Sequence, residues 1–216
     1  NGQNGRIPIV AVTGTNGKTT TVRLISHLLA QNGLCVGMTN TDGVYVGGHV
    51  IDTGDCSGPK SAKSVLLHPD VDAAVLETAR GGVLREGLAF DRCDVAVVTN
   101  VGSGDHLGLN YITTVQDLAV LKRVIVQNVS PTGVAVLNAT DPTVAAMASK
   151  CRGSVTFFAV DKFHPVMATH RAQGQAVVYV ENGHIVASKG DMQQAIALAA
   201  IPITMGGLIP FQVENV

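Results

Sequence analysis

The segment Ile9-Val-Ala-Val-Thr-Gly-Thr-Asn-Gly-Lys-Thr-Thr-Thr21 constrains the fold more than any other stretch of the chain. Its first residues are a short apolar run of the kind buried as a strand, and a glycine-rich turn separates them from a polar helix start. A strand that passes through such a turn into a helix gathers backbone N–H groups and the positive helix end at one point, where they can surround phosphate oxygens. Thr15, Asn16, Gly17, Lys18, Thr19 and Thr20 are so placed. Lys18 would reach the outer phosphates of a nucleotide, and the Thr19 hydroxyl would ligate magnesium. The strict pattern GxxxxGK[ST] asks for glycine where Val12 stands, so this is a variant loop whose reading depends on its strand-loop-helix context. The plainer alternative is a glycine-rich turn with an incidental lysine.

Apolar runs and helical patterns alternate along the rest of the chain. Pro8 to Thr13, Leu34 to Met38, Asp72 to Thr78, Asp94 to Asn100 and Gly133 to Asn138 are short and rich in Val, Ala and Leu, as strands buried on both faces should be. Helices are predicted over Lys18 to Ala30, Pro59 to Leu67, Thr114 to Asn128 and Pro142 to Lys150. Pro59 suits a first helical position, and Thr113 or Thr114 can cap the helix after it. This alternation predicts an α/β fold like that of P-loop NTPases, with a mainly parallel sheet flanked by helices. Hairpin signals at Val44 to Ile51 and Val177 to Ala187 add antiparallel pieces. The stretch from Ser154 onward reads as a small antiparallel appendage that returns to a helix near Gln212.

Composition narrows the partners. With 216 residues, 46% of them hydrophobic and 14% charged, the chain can bury one sizeable core, as one large domain or two small ones. A net charge of −1 with mixed signs gives no footprint for nucleic acid or an anionic membrane, and neither partner is expected. Cys35, Cys56, Cys93 and Cys151 have neither CxxC spacing nor disulfide-scaffold density, which suits reduced thiols and a cytoplasmic default. A chain that opens on Asn1 reads as a piece of a longer protein, with no signal peptide or long apolar span in view.

The run Thr13-Gly-Thr-Asn-Gly-Lys-Thr-Thr20, a Glu ending a later strand, Asp105-His106-Leu107 and a helical Lys122 together resemble the central domain of the Mur ligases and folylpolyglutamate synthetases. Thr41-Asp-Gly-Val-Tyr45, Gly54-Asp-Cys-Ser-Gly-Pro59, Glu77-Thr-Ala-Arg-Gly-Gly-Val-Leu-Arg-Glu-Gly87 and Phe90-Asp-Arg-Cys-Asp94 look like the cyanophycin synthetase branch of that family. The resemblance covers nearly the whole chain.

Glu77 and His106 each lie after a buried run, and ligands gather beyond the carboxyl ends of strands in open parallel sheets. A carboxylate and an imidazole can ligate magnesium, although magnesium prefers oxygen and a loop histidine is more commonly a hydrogen-bonding residue. The resemblance implies the metal role for both, with Asp105 orienting the turn or the imidazole. Lys122 falls within the apolar stripe Val115, Leu118, Lys122, Ile125 and Val129. It either snorkels at the core rim or is held buried as a neutral amine able to react with carbon dioxide. The resemblance implies the second, a carbamate that helps place a second magnesium. It also implies that Asn215 touches the adenine side of ATP, although Gln212 stands where many Mur ligases have asparagine and helix capping is the alternative. Asp55, Cys56, Ser57 and Arg80 either line the acceptor site or only shape loops. Asn138 to Asp141 either belongs to the site or forms an ordinary turn.

The implied activity is ATP-dependent amide ligation, in which a carboxylate is activated as an acyl phosphate and an amine then displaces phosphate, with ATP and magnesium as cofactors. Within the cyanophycin branch the carboxylate is an aspartate side chain of a poly-aspartate primer and the amine is arginine. Residues 1–216 would be the central domain, with an ATP-grasp domain and a C-terminal Mur ligase domain elsewhere in the protein. Homo-oligomerisation is left open. A ligase acting on a peptidoglycan precursor or folate, and a non-catalytic nucleotide-binding module, are the rival readings.

Overall fold

β1 (Ile9–Thr13) is buried along its whole length. Ile9 and Ala11 belong to the larger core cluster and Val10 and Val12 to the smaller, so successive side chains serve opposite faces of a sheet covered on both sides. The computed structural model describes residues 5–102 and 112–216.

After β1 come α1 (Lys18–Gln31), β2 (Val36–Asn40), β3 (Gly43–Val46), β4 (His49–Thr53), α2 (Pro59–Leu66), β5 (Ala73–Glu77), α3 (Arg80–Glu86) and β6 (Cys93–Val98). They are followed by α4 (Val115–Gln127), β7 (Val129–Asn138), α5 (Pro142–Ala145), β8 (Ser154–Phe158), α6 (Pro165–Ala172), β9 (Val177–Glu181), β10 (His184–Lys189), β11 (Met192–Ala197) and α7 (Pro210–Asn215). All the described strands form one sheet in the order β11-β10-β9-β8-β7-β6-β1-β5-β2-β3-β4. The block from β2 to β9 is parallel. β3 and β4 at one edge, and β10 and β11 at the other, are antiparallel. Val22 of α1, with Ile25 and Leu29, packs on the smaller cluster. Leu118 and Ile125 of α4, Val65 of α2 and Met167 of α6 pack on the larger.

The expected α/β fold with a mainly parallel sheet is the observed one. The stretch from Ser154 differs in detail: it opens with a parallel strand, a helix and a second parallel strand, and only β10 and β11 are antiparallel. The reason is packing, because Phe157 and Met167 join the larger core and draw this stretch into the main sheet. The helix expected over Pro142 to Lys150 is four residues of α-helix followed by a tighter 3-10 turn at Ala146–Lys150. Thr114, not Thr113, caps α4, in a reciprocal box with Asp117. α3 was not predicted, since Gly81 and Gly82 are poor helix formers. Its glycine is needed for contact: a Cβ on Gly82 would lie 2.8 Å from both Gly58 Cα and Pro59 Cδ.

Candidate active site

The carboxyl ends of β1, β5 and β6 meet at the glycine-rich turn, where ligands collect in open parallel sheets. A Cβ on Gly14 would lie 1.8 Å from Thr99 Oγ1, so the chain can pass β6 only as glycine. Val12, by contrast, is 0% exposed in the smaller core cluster. The need for glycine has moved from residue 12 to residue 14, the point of closest backbone approach. Gly17, at φ +83°, is the N-cap of α1, which has neither a side-chain cap nor an acidic residue in its first turn. The first amides and the positive end of α1 are therefore open to an anion.

The other loop amides are committed. Thr15 N–H donates to Asn100 Oδ1 (3.1 Å) and to Asn100 O (3.0 Å), and Asn16 N–H donates to Asn100 Oδ1 (2.9 Å). Thr99 Oγ1 donates to Asn16 O (2.6 Å), and Gly102 N–H donates to Thr15 Oγ1 (2.9 Å). Lys18 Nζ folds back onto Thr15 O (2.9 Å). Thr99 and Asn100 thus shape the loop, a role that sequence reasoning missed because they read only as the polar end of a buried run.

Glu77, the last residue of β5, is 2% exposed. Its Oε2 accepts from Thr19 Oγ1 (2.8 Å), and Thr19 Oγ1 lies 3.2 Å from Thr41 Oγ1. Burial pushes the Glu77 carboxyl above its ordinary range. The hydrogen bond from Thr19, the charge of Lys18 and the backbone bond from Thr41 pull it back, and the charge of Asp55 pushes it up. Glu77 Oε1 is buried without a hydrogen-bond partner. A bare buried carboxylate oxygen beside two hydroxyls is a set of hard donors, which fits magnesium. Thr41 is a candidate ligand that sequence reasoning did not single out.

Lys122 is 4% exposed on α4, and its Nζ donates to Gly14 O (2.7 Å). The snorkelling alternative fails, because the amine reaches inward to the glycine-rich loop rather than outward to water. Lys122, Glu77 and Lys18 all therefore touch or flank one loop. His106 and Asp105 lie outside the described residues. Asn215 ends α7 over the loop: a Cβ on Gly17 would lie 2.2 Å from Asn215 Oδ1, and Asn215 O accepts from Thr21 Oγ1 (3.4 Å). Its Nδ2 donates to Gln212 Oε1 (3.1 Å), so the residue that departs from the usual Mur pattern braces it. Asp55 Oδ1 accepts from both Ser57 N–H (3.2 Å) and Ser57 Oγ (2.5 Å). Ser57, Glu77, Thr78, Val83 and Phe90 line a narrow cleft beside the loop, and Cys56 is buried. Arg80 opens α3, just beyond β5.

Residues 12–202 match the family described as the Mur ligase middle domain. The chain belongs to the Mur ligase family. Among curated Mur ligase relatives, the cyanophycin synthetase of Synechocystis sp. is 50% identical over 216 residues, covering 99% of this chain and 24% of that protein. The UDP-N-acetylmuramoyl-L-alanyl-D-glutamate–2,6-diaminopimelate ligase of Chlorobaculum tepidum is 32% identical over 152 residues, covering 67% of this chain and 29% of that protein. This Mur ligase domain therefore spans about a quarter of the curated cyanophycin synthetases it matches. Its fold is shared with a solved diaminopimelate ligase (TM-score 0.64, 20% identity, 88% of this chain and 39% of that one). It is also shared with E. coli FolC in complex with DHPP and ADP (TM-score 0.58, 18% identity, 98% of this chain and 54% of that one). Among the described residues no helix is long and apolar enough to cross a membrane.

Proposed function

We propose that this domain is the ATP site of an amide ligase of the cyanophycin synthetase type, one that joins arginine to aspartate side chains of a poly-aspartate primer in the cytoplasm. The observation that carries the reading is the contact of buried Glu77, one oxygen unpartnered, with Thr19 of the phosphate loop. The 50% identity to cyanophycin synthetases supports the choice of substrates.

In this reading the open amides of α1 hold the β- and γ-phosphates, and Lys18 swings from Thr15 O onto the γ-phosphate. Thr19 and Glu77 would hold magnesium, joined by His106 and by Lys122 as a carbamate at a second ion, and Asn215 would face the adenine side. When bound, magnesium neutralises phosphate charge and aligns the two oxygens of the displacement. An aspartate carboxylate oxygen attacks the γ-phosphorus, the bond to ADP breaks, and an acyl phosphate forms. The arginine amine then attacks the acyl carbon, phosphate leaves with the C–O bond electrons, and the amine gives up a proton. Ser57 lines the cleft beside Glu77 and is bonded to Asp55, and these two residues with Arg80 would meet the acceptor.

The test is phosphate release by the full-length protein. Release should require primer and arginine together, and Lys18→Ala should abolish it in a protein that still folds. Release that depends on neither substrate would identify a nucleotide-hydrolysing module. Release that depends on a folate or peptidoglycan acceptor would identify a different ligase.

A further inference from the structure

The turn that follows β7 is built into the same site from behind. The parallel pairing of β6 with β7 ends at Val98 and Leu137. The exit of β6 nonetheless stays tethered. Asn138 Nδ2 donates to Thr99 O (2.9 Å), and Val101 N–H donates to Asp141 Oδ2 (2.6 Å). Thr99 N–H itself donates to Thr13 O of β1, so regular pairing to β7 has ended here, and the Asn138 and Asp141 side chains hold the departing segment in place of backbone pairing.

Both side chains are also anchored at their other ends. Asn138 Oδ1 accepts from Thr140 N–H (2.9 Å) and Thr140 Oγ1 (2.7 Å). Asp141 Oδ1 accepts from Thr143 N–H (2.9 Å) and Val144 N–H (3.2 Å), capping α5. On the opposite side of the tethered segment, Asn100 Oδ1 receives the Thr15 and Asn16 amides. Gly102 N–H, one residue past Val101, meets Thr15 Oγ1.

We propose that Asp141 is a positioning residue for the phosphate loop, acting through Val101 and Asn100. With Val101 N–H fixed by a carboxylate, the Asn100 side chain is held where it orders Thr15 and Asn16, leaving the amides from Gly17 onward aimed at phosphate. Charge matters here: a carboxylate can accept from α5 and from Val101 at once, one oxygen for each. An asparagine has one oxygen for the two duties. A serine caps α5 but is too short to reach Val101.

The inference rests on the nucleotide reading of the loop, so its test has one readout that uses nucleotide and one that does not. In the full-length protein, Asp141→Ser should melt near the wild type while binding Mg-ADP about tenfold more weakly, the scale of one lost charged hydrogen bond. KM for ATP should rise and KM for the acceptor should not. Hydrogen exchange without nucleotide should quicken at the Val101, Thr15 and Asn16 amides. Asp141→Asn should behave similarly, and Asp141→Ala should also lose stability. Unchanged exchange at Thr15 and Asn16 in Asp141→Ser overturns the relay, as does an affinity loss that merely tracks melting temperature across the three variants. A wild type that binds no Mg-ADP would sink the nucleotide reading, while the exchange measurement still decides the relay.

Discussion

A carboxylate with 2% exposure and one oxygen lacking a hydrogen bond costs free energy wherever it ionises, and Glu77 is such a group. Its folded pKa lies above the ordinary 4.5 chiefly because it is buried. Protonated Glu77 thus contributes stability that is fully present below about pH 4.5 and is lost as pH rises through the raised value. Glu77→Gln keeps an acceptor for Thr19 and does not titrate. Without metal, the difference in melting temperature between wild type and Glu77→Gln should move in favour of the variant as pH rises from 4 to 8, a range of about 4 units set by the ordinary carboxylate value. Mg-ADP should then raise the melting temperature of the wild type much more than that of the variant. Equal stabilisation of both by Mg-ADP would remove Glu77 from the metal site.

At the scale of elements, the cleft beside Glu77 depends on two helix starts meeting through glycine. Gly82 of α3 touches Gly58 and Pro59 at the start of α2 so closely that a methyl group has no room. Gly82→Ala should cost about 1–3 kcal/mol in urea unfolding, the usual penalty for overpacking, although alanine is the better helix former. A gain in stability would mean that α3 is set by propensity and not by this contact. The same pair shows why α3 escaped prediction whereas α4 did not. α4 carries its own start signal at Thr114 and a full apolar stripe, while α3 is stabilised by a neighbour distant in sequence.

At the scale of the whole molecule, the glycine-rich loop sits at the rim of the sheet, with Asn16 and Thr41 exposed. Acyl transfer by way of an acyl phosphate needs a closed, water-poor site that also brings the amine into line. Curated cyanophycin synthetases are about four times the length matched here, so they contain ample chain to close such a site. Residues 1–216 alone should therefore bind nucleotide yet release no arginine-dependent phosphate, whereas the full-length protein should. Turnover by the isolated segment at the full-length rate would place the amine site within it.

The strand-turn-helix frame of the candidate site was legible in the sequence, because it is local: its strand, glycines, Lys18 and helix start are contiguous, and their spacing alone aims amides at one point. Apolar runs likewise revealed β1, β2, β5, β6 and β7, and helical periodicity the misplaced charge of Lys122. What the tertiary structure decided are the long-range contacts. Asn100 shaping the loop, Lys122 reaching Gly14, Asn215 closing over Gly17 and Asp141 tethering Val101 join residues 40 to 198 positions apart. Such pairs leave no periodic trace, since a hydrogen bond depends on where two strands end in space and not on how many residues separate them.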